Sequence, residues 1–183
     1  MPGIQISTKR RNELGKIKNI PSITDDPQLN IRRSDIEQRA EWFFFQNDEA
    51  AKRGLDWEEW CRPAIRRVGH LRGEESLNAA VQDRSDLQQV LNMFRNNTLG
   101  TRTFEKEYVK DTPEEIIIDH HYCPLVAGWQ KCTDDEELIA KCCDIAMEGD
   151  RGIFDLVEGA DFYLDSTIAE GAPVCRLRLK KRG

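Results

Sequence analysis

The sequence predicts an α+β domain: a mainly antiparallel four-stranded sheet backed by helices, with a helical N-terminal half. Apolar residues between Ser34 and Asn96 recur at i, i+3 and i+4, the spacing of an amphipathic helix. From Thr101 the period shortens to two, the spacing of a strand. Turn residues then join the alternating segments in adjacent pairs, which calls for antiparallel neighbours.

Residues 1–33 are polar, with Pro21 and Pro27 and little periodicity, and read as a poorly ordered arm. A single domain is expected over residues 34–183, a length sufficient for its own core. Ser34 reads as an N-cap, with Asp35 and Glu37 acidic in the first turn. Ile36, Ala40, Phe43, Phe44 and Ala51 fall near one face, and Gly54 ends that helix. A second helix begins near Asp56, with Trp57, Trp60, Cys61 and Ile65 on its apolar side. A third spans Ser76–Asn96 through Leu77, Val81, Leu87, Val90, Leu91 and Phe94. These three helices are expected to pack together, burying Phe43, Phe44, Trp60, Leu91 and Phe94.

Thr101–Lys110 alternates and reads as the first strand, Asp111–Pro113 as a turn, and Glu114–Tyr122 as the returning strand. A short helix follows Pro124. Thr133 or Asp134 caps a longer one from Asp135 to about Gly149. Asp161–Ile168 and Val174–Lys180 form the last two strands, joined by the turn Glu170-Gly171-Ala172-Pro173.

Charge and hydropathy exclude some functions. A net charge of −6 argues against nucleic acid, which needs a basic stripe. No apolar run approaches the length of a membrane span, and the basic start has no apolar segment of a signal peptide behind it. The expectation is a cytoplasmic protein with its thiols reduced.

The candidate chemistry lies in the last third. His120, His121, Cys123, Cys132, Cys142, Cys143 and Cys175 fall there, the side chains best suited to nucleophilic, acid–base or metal work near neutral pH. On an extended strand His121 and Cys123 share one face, and His120 takes the other. Pro124 as a first helical residue puts Cys123 at a helix N-terminus, where a thiolate is favoured. Helical spacing turns Cys142 and Cys143 inward and Asp144 toward Glu137 and Lys141. The bland alternative is packed thiols, an exposed histidine and a solvated acid. His121, Cys123 and Cys132 or Cys175 are the residue types of a tetrahedral N/S metal site. With no CxxC and no HExxH, neither metal nor cofactor is expected.

Cys123-Pro124-Leu125, Cys143-Asp144 with Ala146-Met147-Glu148-Gly149, Thr167-Ile168-Ala169-Glu170-Gly171 and Cys175-Arg176-Leu177-Arg178 follow in order. Together they resemble the L-2-amino-thiazoline-4-carboxylic acid hydrolase family, itself related to vinyl-reductase-type small-molecule-binding domains that are often dimeric. The resemblance implies a hydrolase that opens a cyclic amidine or thiazoline-like ring, and a homodimer. It implies Cys123 or Cys143 as nucleophile, or His121 activating water, with Asp144 holding the amidinium. Thr167, Cys175, Arg176 and Arg178 would bind substrate, an arginine taking its carboxylate. The convergence of Cys123, His121, Cys143, Asp144, Thr167 and Cys175 on one pocket is expected. The rival readings are a non-catalytic ligand-binding or sensor domain, and a lyase or isomerase on the same fold.

Overall fold

The computed structural model describes residues 15–183. Its elements run α1 (Pro27–Lys52), α2 (Trp57–Ala80), α3 (Leu87–Asn96), α4 (Thr98–Thr103), β1 (Lys106–Asp111), β2 (Glu115–His120), α5 (Pro124–Cys132), α6 (Glu136–Ala146), α7 (Glu148–Phe154), β3 (Ala160–Ser166), a 3-10 turn (Ile168–Glu170) and β4 (Cys175–Lys181). The four strands form one sheet in the order β1-β2-β4-β3, and every neighbouring pair is antiparallel. This is the α+β class with a helical N-terminal half.

Several boundaries differ from the sequence reading, each for a local reason. α1 starts at Pro27, not after Ser34. The Asp26 carboxylate caps it by accepting from Leu29 N–H, and Pro27 occupies the first turn, where its missing N–H costs nothing. α2 runs through Ser76 to Ala80, and Asp86 then caps a separate α3 by accepting from Gln88 and Gln89. The stretch expected as the start of β1 is instead α4, capped by Asn97. The long helix expected to reach Gly149 breaks at Met147 and resumes as α7.

Packing departs from expectation more than class does. α1 lies chiefly on α5, and α2 chiefly on α7. Phe44 and Leu91 are buried, while Phe43 and Phe94 pack at the edge of the core. Trp60 is 48% exposed. The buried stripe of α2 runs through Trp57, Cys61, Gly69, Gly73 and Leu77, and a residue three on from Trp57 falls off it.

Trp129 anchors the α1–α5 contact: it is fully buried, and its indole N–H donates to Ala40 O at 3.1 Å. Truncation to alanine is expected to cost about 3–5 kcal/mol. The α2–α7 contact depends on absent side chains. A Cβ on Gly152 would lie 2.3 Å from Arg66 O, and one on Gly69 2.2 Å from Gly149 O.

Alternation gives the sheet two unlike faces. Ile116, Ile118, Cys175, Leu177 and Leu179 are buried in the core, with Phe162 and Leu164 packed against them. The other face carries paired charges. Arg176 holds Asp119 through two bonds of 2.8 and 2.6 Å, and Arg178 holds Asp165 through two of 2.7 and 2.8 Å.

Candidate active site

On the covered face the rungs Ile116–Leu179 and Ile118–Leu177 are apolar, and the next rung is not. Lys106 of β1 pairs with His120 of β2, and His120 pairs with Cys175 of β4. Three titratable side chains therefore stand in one row at the end of the sheet. Helices bring others to it. Cys123 is the N-cap residue of α5, Cys143 faces in from α6, Asp150 sits on α7, and Arg39 on α1 interacts electrostatically with Asp150 and Cys123.

Lys106, His120 and Asp150 each keep some accessible surface, yet each is crowded enough by protein to disfavour its charge. We read the space these side chains share at the end of the sheet as an interior recess. Burial, then the charges of Lys106 and His121, hold His120 well below its ordinary value, so its imidazole is neutral at pH 7. Its Nε2 is buried with no hydrogen-bond partner. The Lys106 ammonium lies 5.3 Å from the Phe94 ring centre and 5.8 Å from that of Phe104. Burial lowers its pKa, against the pull of Asp150. Burial raises Asp150, opposed by Lys106, Arg39 and Arg151.

The thiols share this environment. Cys143 interacts with both Cys123 and Cys175. Burial pushes Cys123 up to about 11, although the amides of Val126 and Leu125 at the start of α5 favour its thiolate. Cys175 rises to about 12 and accepts from Ile168 N–H at 3.2 Å. All are free thiols. Among the described residues, no group of three or more His, Cys, Asp or Glu side chains is arranged to hold a metal ion.

Of the residues read from the sequence, Cys123, Cys143 and Cys175 come together. Thr167 stands behind them, bonding the Glu170 carboxylate at 2.8 Å and capping the 3-10 turn whose Ile168 amide meets Cys175. The others lie elsewhere. His121 is outside the recess: β2 ends at His120, so strand parity does not continue to Cys123, and His121 pairs with exposed Glu107 at 2.9 Å. Asp144 is half exposed and bonds Arg62 and Arg151. Partial burial raises its pKa, and those two hydrogen bonds more than offset it. Arg176 and Arg178 alternate with Cys175 and Leu177 along β4, so they point to the opposite face and are occupied by Asp119 and Asp165.

The sequence reading does not single out Lys106, Asp150 or Arg39, and it places His120 on the face opposite Cys123. His120 had a signal, since it shares parity with Ile116 and Ile118. Lys106 becomes visible only through strand pairing. Asp150 sits beyond a helix break that periodicity did not mark.

A cavity of about 760 Å³ lies against the 3-10 turn, lined among others by Ile17, Asp134, Asp135, Glu136, Ile139 and Glu170. No cysteine or histidine is among its described lining residues. Cys143 lies one helical turn from Ile139 on α6, and the described lining of this cavity includes none of Lys106, His120, Cys123, Asp150 and Cys175.

The family model described as L-2-amino-thiazoline-4-carboxylic acid hydrolase matches residues 35–179. No curated protein and no solved structure matches the chain. None of the helices of the described residues is long and apolar enough to cross a membrane.

Proposed function

The chain belongs to the L-2-amino-thiazoline-4-carboxylic acid hydrolase family, and we propose that it opens a small cyclic amidine or thiazoline-like ring by hydrolysis in the recess of Lys106, His120, Cys123, Asp150 and Cys175. Family membership supports a hydrolase-type function on a small molecule. The observation that carries the location is the row Lys106–His120–Cys175, with a neutral imidazole whose buried Nε2 has no partner.

The residues suit a ring bearing an amidinium and a carboxylate. Asp150 is the anion available in the recess, in the role that the resemblance implies for Asp144. Lys106 and Arg39 are the cations available for a carboxylate, in the role that the resemblance implies for Arg176 and Arg178. Cys123 is the thiol best placed to attack, because it alone stands at a helix N-terminus. Its raised pKa means the proton must leave as the bond forms, and His120 or Asp150 receives it. The sulfur adds to the amidine carbon, and the ring C–S bond breaks, releasing the substrate's thiol and leaving an isothiourea on Cys123. Water then adds to that carbon. The Cys123 thiol departs, and the product is a urea.

The raised thiol pKa also favours a second reading, in which His120 or Asp150 deprotonates water and water attacks the ring carbon directly. Incubation with 2-aminothiazoline-4-carboxylate, with released thiol measured, tests the activity. Cys123→Ser separates the routes: near-complete loss favours covalent attack, and retained turnover favours water. No turnover and no binding of this compound would contradict the proposal.

The same reading takes the protein as cytoplasmic and homodimeric. Exposed Trp42 and Phe45 on α1 and Trp60, Val68 and Leu71 on α2 support an assembly surface.

A further inference from the structure

Cys123 is held from outside the catalytic layer by one side chain remote in sequence. Asn19 Oδ1 accepts the Cys123 backbone N–H at 2.9 Å, and Asn19 Nδ2 donates to the Cys123 carbonyl at 2.8 Å. The N-cap is the residue of a helix whose dihedrals the helix does not fix. Cys123 is extended there, with φ −130° and ψ 109° as in a strand. Its carbonyl takes the first helical bond from Ala127 at 3.1 Å, whereas its N–H has no helical partner. A carboxamide both donates and accepts across such a peptide; a carboxylate only accepts, and alanine does neither.

The segment carrying Asn19 is anchored on both sides. Ile17 is buried in the core, and its N–H donates to Glu136 Oε1 at 3.1 Å. Further along, Ser22 and Ile23 donate to the Glu105 carboxylate at 2.7–3.1 Å. Glu105 also pairs with Arg33 at 2.8 Å, their side chains only 9% and 4% exposed. Glu105 is the one non-glycine among the described residues with positive φ, at 50°, a conformation that needs surrounding structure to hold it. It directly precedes Lys106. Residues 15–26 therefore grip both shoulders of the recess, at Lys106 through Glu105 and at Cys123 through Asn19.

We infer that Asn19 is a positioning residue for Cys123, and that the strap of residues 15–26 fixes the attacking thiol against the Lys106–His120–Cys175 row. This rests on Cys123 being the attacking group.

The test uses the full chain, with Asn19→Ala, Asn19→Asp and Asn30→Ala as a control. Asn30 donates to Thr24 O at 2.9 Å, at an end of the strap that Ser22 and Ile23 hold to Glu105 without it, and does not touch Cys123. Iodoacetamide labelling of each cysteine is followed by mass spectrometry from pH 6 to 11, beside turnover of 2-aminothiazoline-4-carboxylate. Both Asn19 variants should label Cys123 roughly tenfold faster, with its midpoint falling from about 11 toward 9. Cys143 and Cys175 should label as in the parent protein. Turnover should show kcat reduced about tenfold or more with KM little changed, and Asn30→Ala should resemble the parent protein in both readouts. Unchanged Cys123 labelling, or an equal rise at all three thiols, overturns the inference. Selective Cys123 labelling with parental kcat overturns the positioning role. A parent protein without turnover would defeat the functional reading alone, and labelling would still decide whether Asn19 clamps Cys123.

Discussion

The two faces of one sheet use neighbouring residues for opposite purposes. On the open face Arg176, Arg178, Asp119 and Asp165 are charged and paired within bonds of 2.6–2.8 Å. On the covered face Lys106, His120 and Cys175 stand in a row, each disfavoured in its charged form by burial. Charges already satisfied by a partner contribute structure and little else. Titratable groups held in an interior that disfavours their charge are poised to exchange protons or bind a ligand. Side-chain type alone would rank the arginines as the better substrate contacts. Facing, set by strand parity, reverses that ranking.

The sharpest way to break this contrast is to remove one group from each face. Cys123→Ser and Asp150→Asn should each lower turnover by about 10²–10⁴-fold, while Arg178→Ala should stay within about twofold of the parent protein. Comparable losses from both faces, measured as kcat/KM, would erase the distinction.

A second change reaches the covered side through packing. Gly152→Ala puts a Cβ 2.3 Å from Arg66 O, and that backbone cannot swing aside as a side chain can. α7 must shift, at about 1–3 kcal/mol in urea unfolding. Asp150, two residues earlier on α7, should shift with it and reduce turnover. Full activity in a destabilised variant would separate Asp150 from the site.

Much of the fold was legible in the sequence because it rests on local signals. The strand pairs around Asp111–Pro113 and Glu170–Pro173, the Cys123–Pro124 helix start and the inward turn of Cys142 and Cys143 all follow from periodicity and turn chemistry. Where the reading failed, two signals competed. Pro27 reads as a breaker in isolation and as a helix start only with Asp26 before it. The site was legible in part. The thiols stand out by residue type, but the groups beside them come from strand register and from a helix behind a break, which one sequence does not display. Extending strand parity past His120, the last strand residue, favours His121 over His120.

Stability against pH sharpens the comparison, since only the covered face stores disfavoured charge. His120 has its folded pKa lowered, so the unfolded chain takes the proton first and stability falls as pH drops below 6.5. Cys123, Cys142, Cys143 and Cys175 have folded values raised above 9.0. The unfolded chain therefore ionises first, and stability falls as pH rises past 9.0. Thermal melts should show both limbs, and Cys123→Ala should flatten the alkaline one. An alkaline limb unchanged in that variant would mean that Cys123 is not held as a buried thiol.

The smallest effects belong to the open face. Arg178→Ala should cost about 0–1 kcal/mol, because Asp165 can turn to solvent. Arg176→Ala should cost more, because it strands the buried Asp119 carboxylate. Equal melting temperatures for the two variants would contradict the difference in burial.

The most direct test of the central claim is a crystal structure of Cys123→Ser soaked with 2-aminothiazoline-4-carboxylate. The account predicts the ring in the recess, with its amidine near Asp150, its carboxylate near Lys106 or Arg39, and its reacting carbon facing residue 123. A ring bound against Arg176 and Arg178 on the open face, or in the acidic cavity at the 3-10 turn with the recess empty, would contradict it.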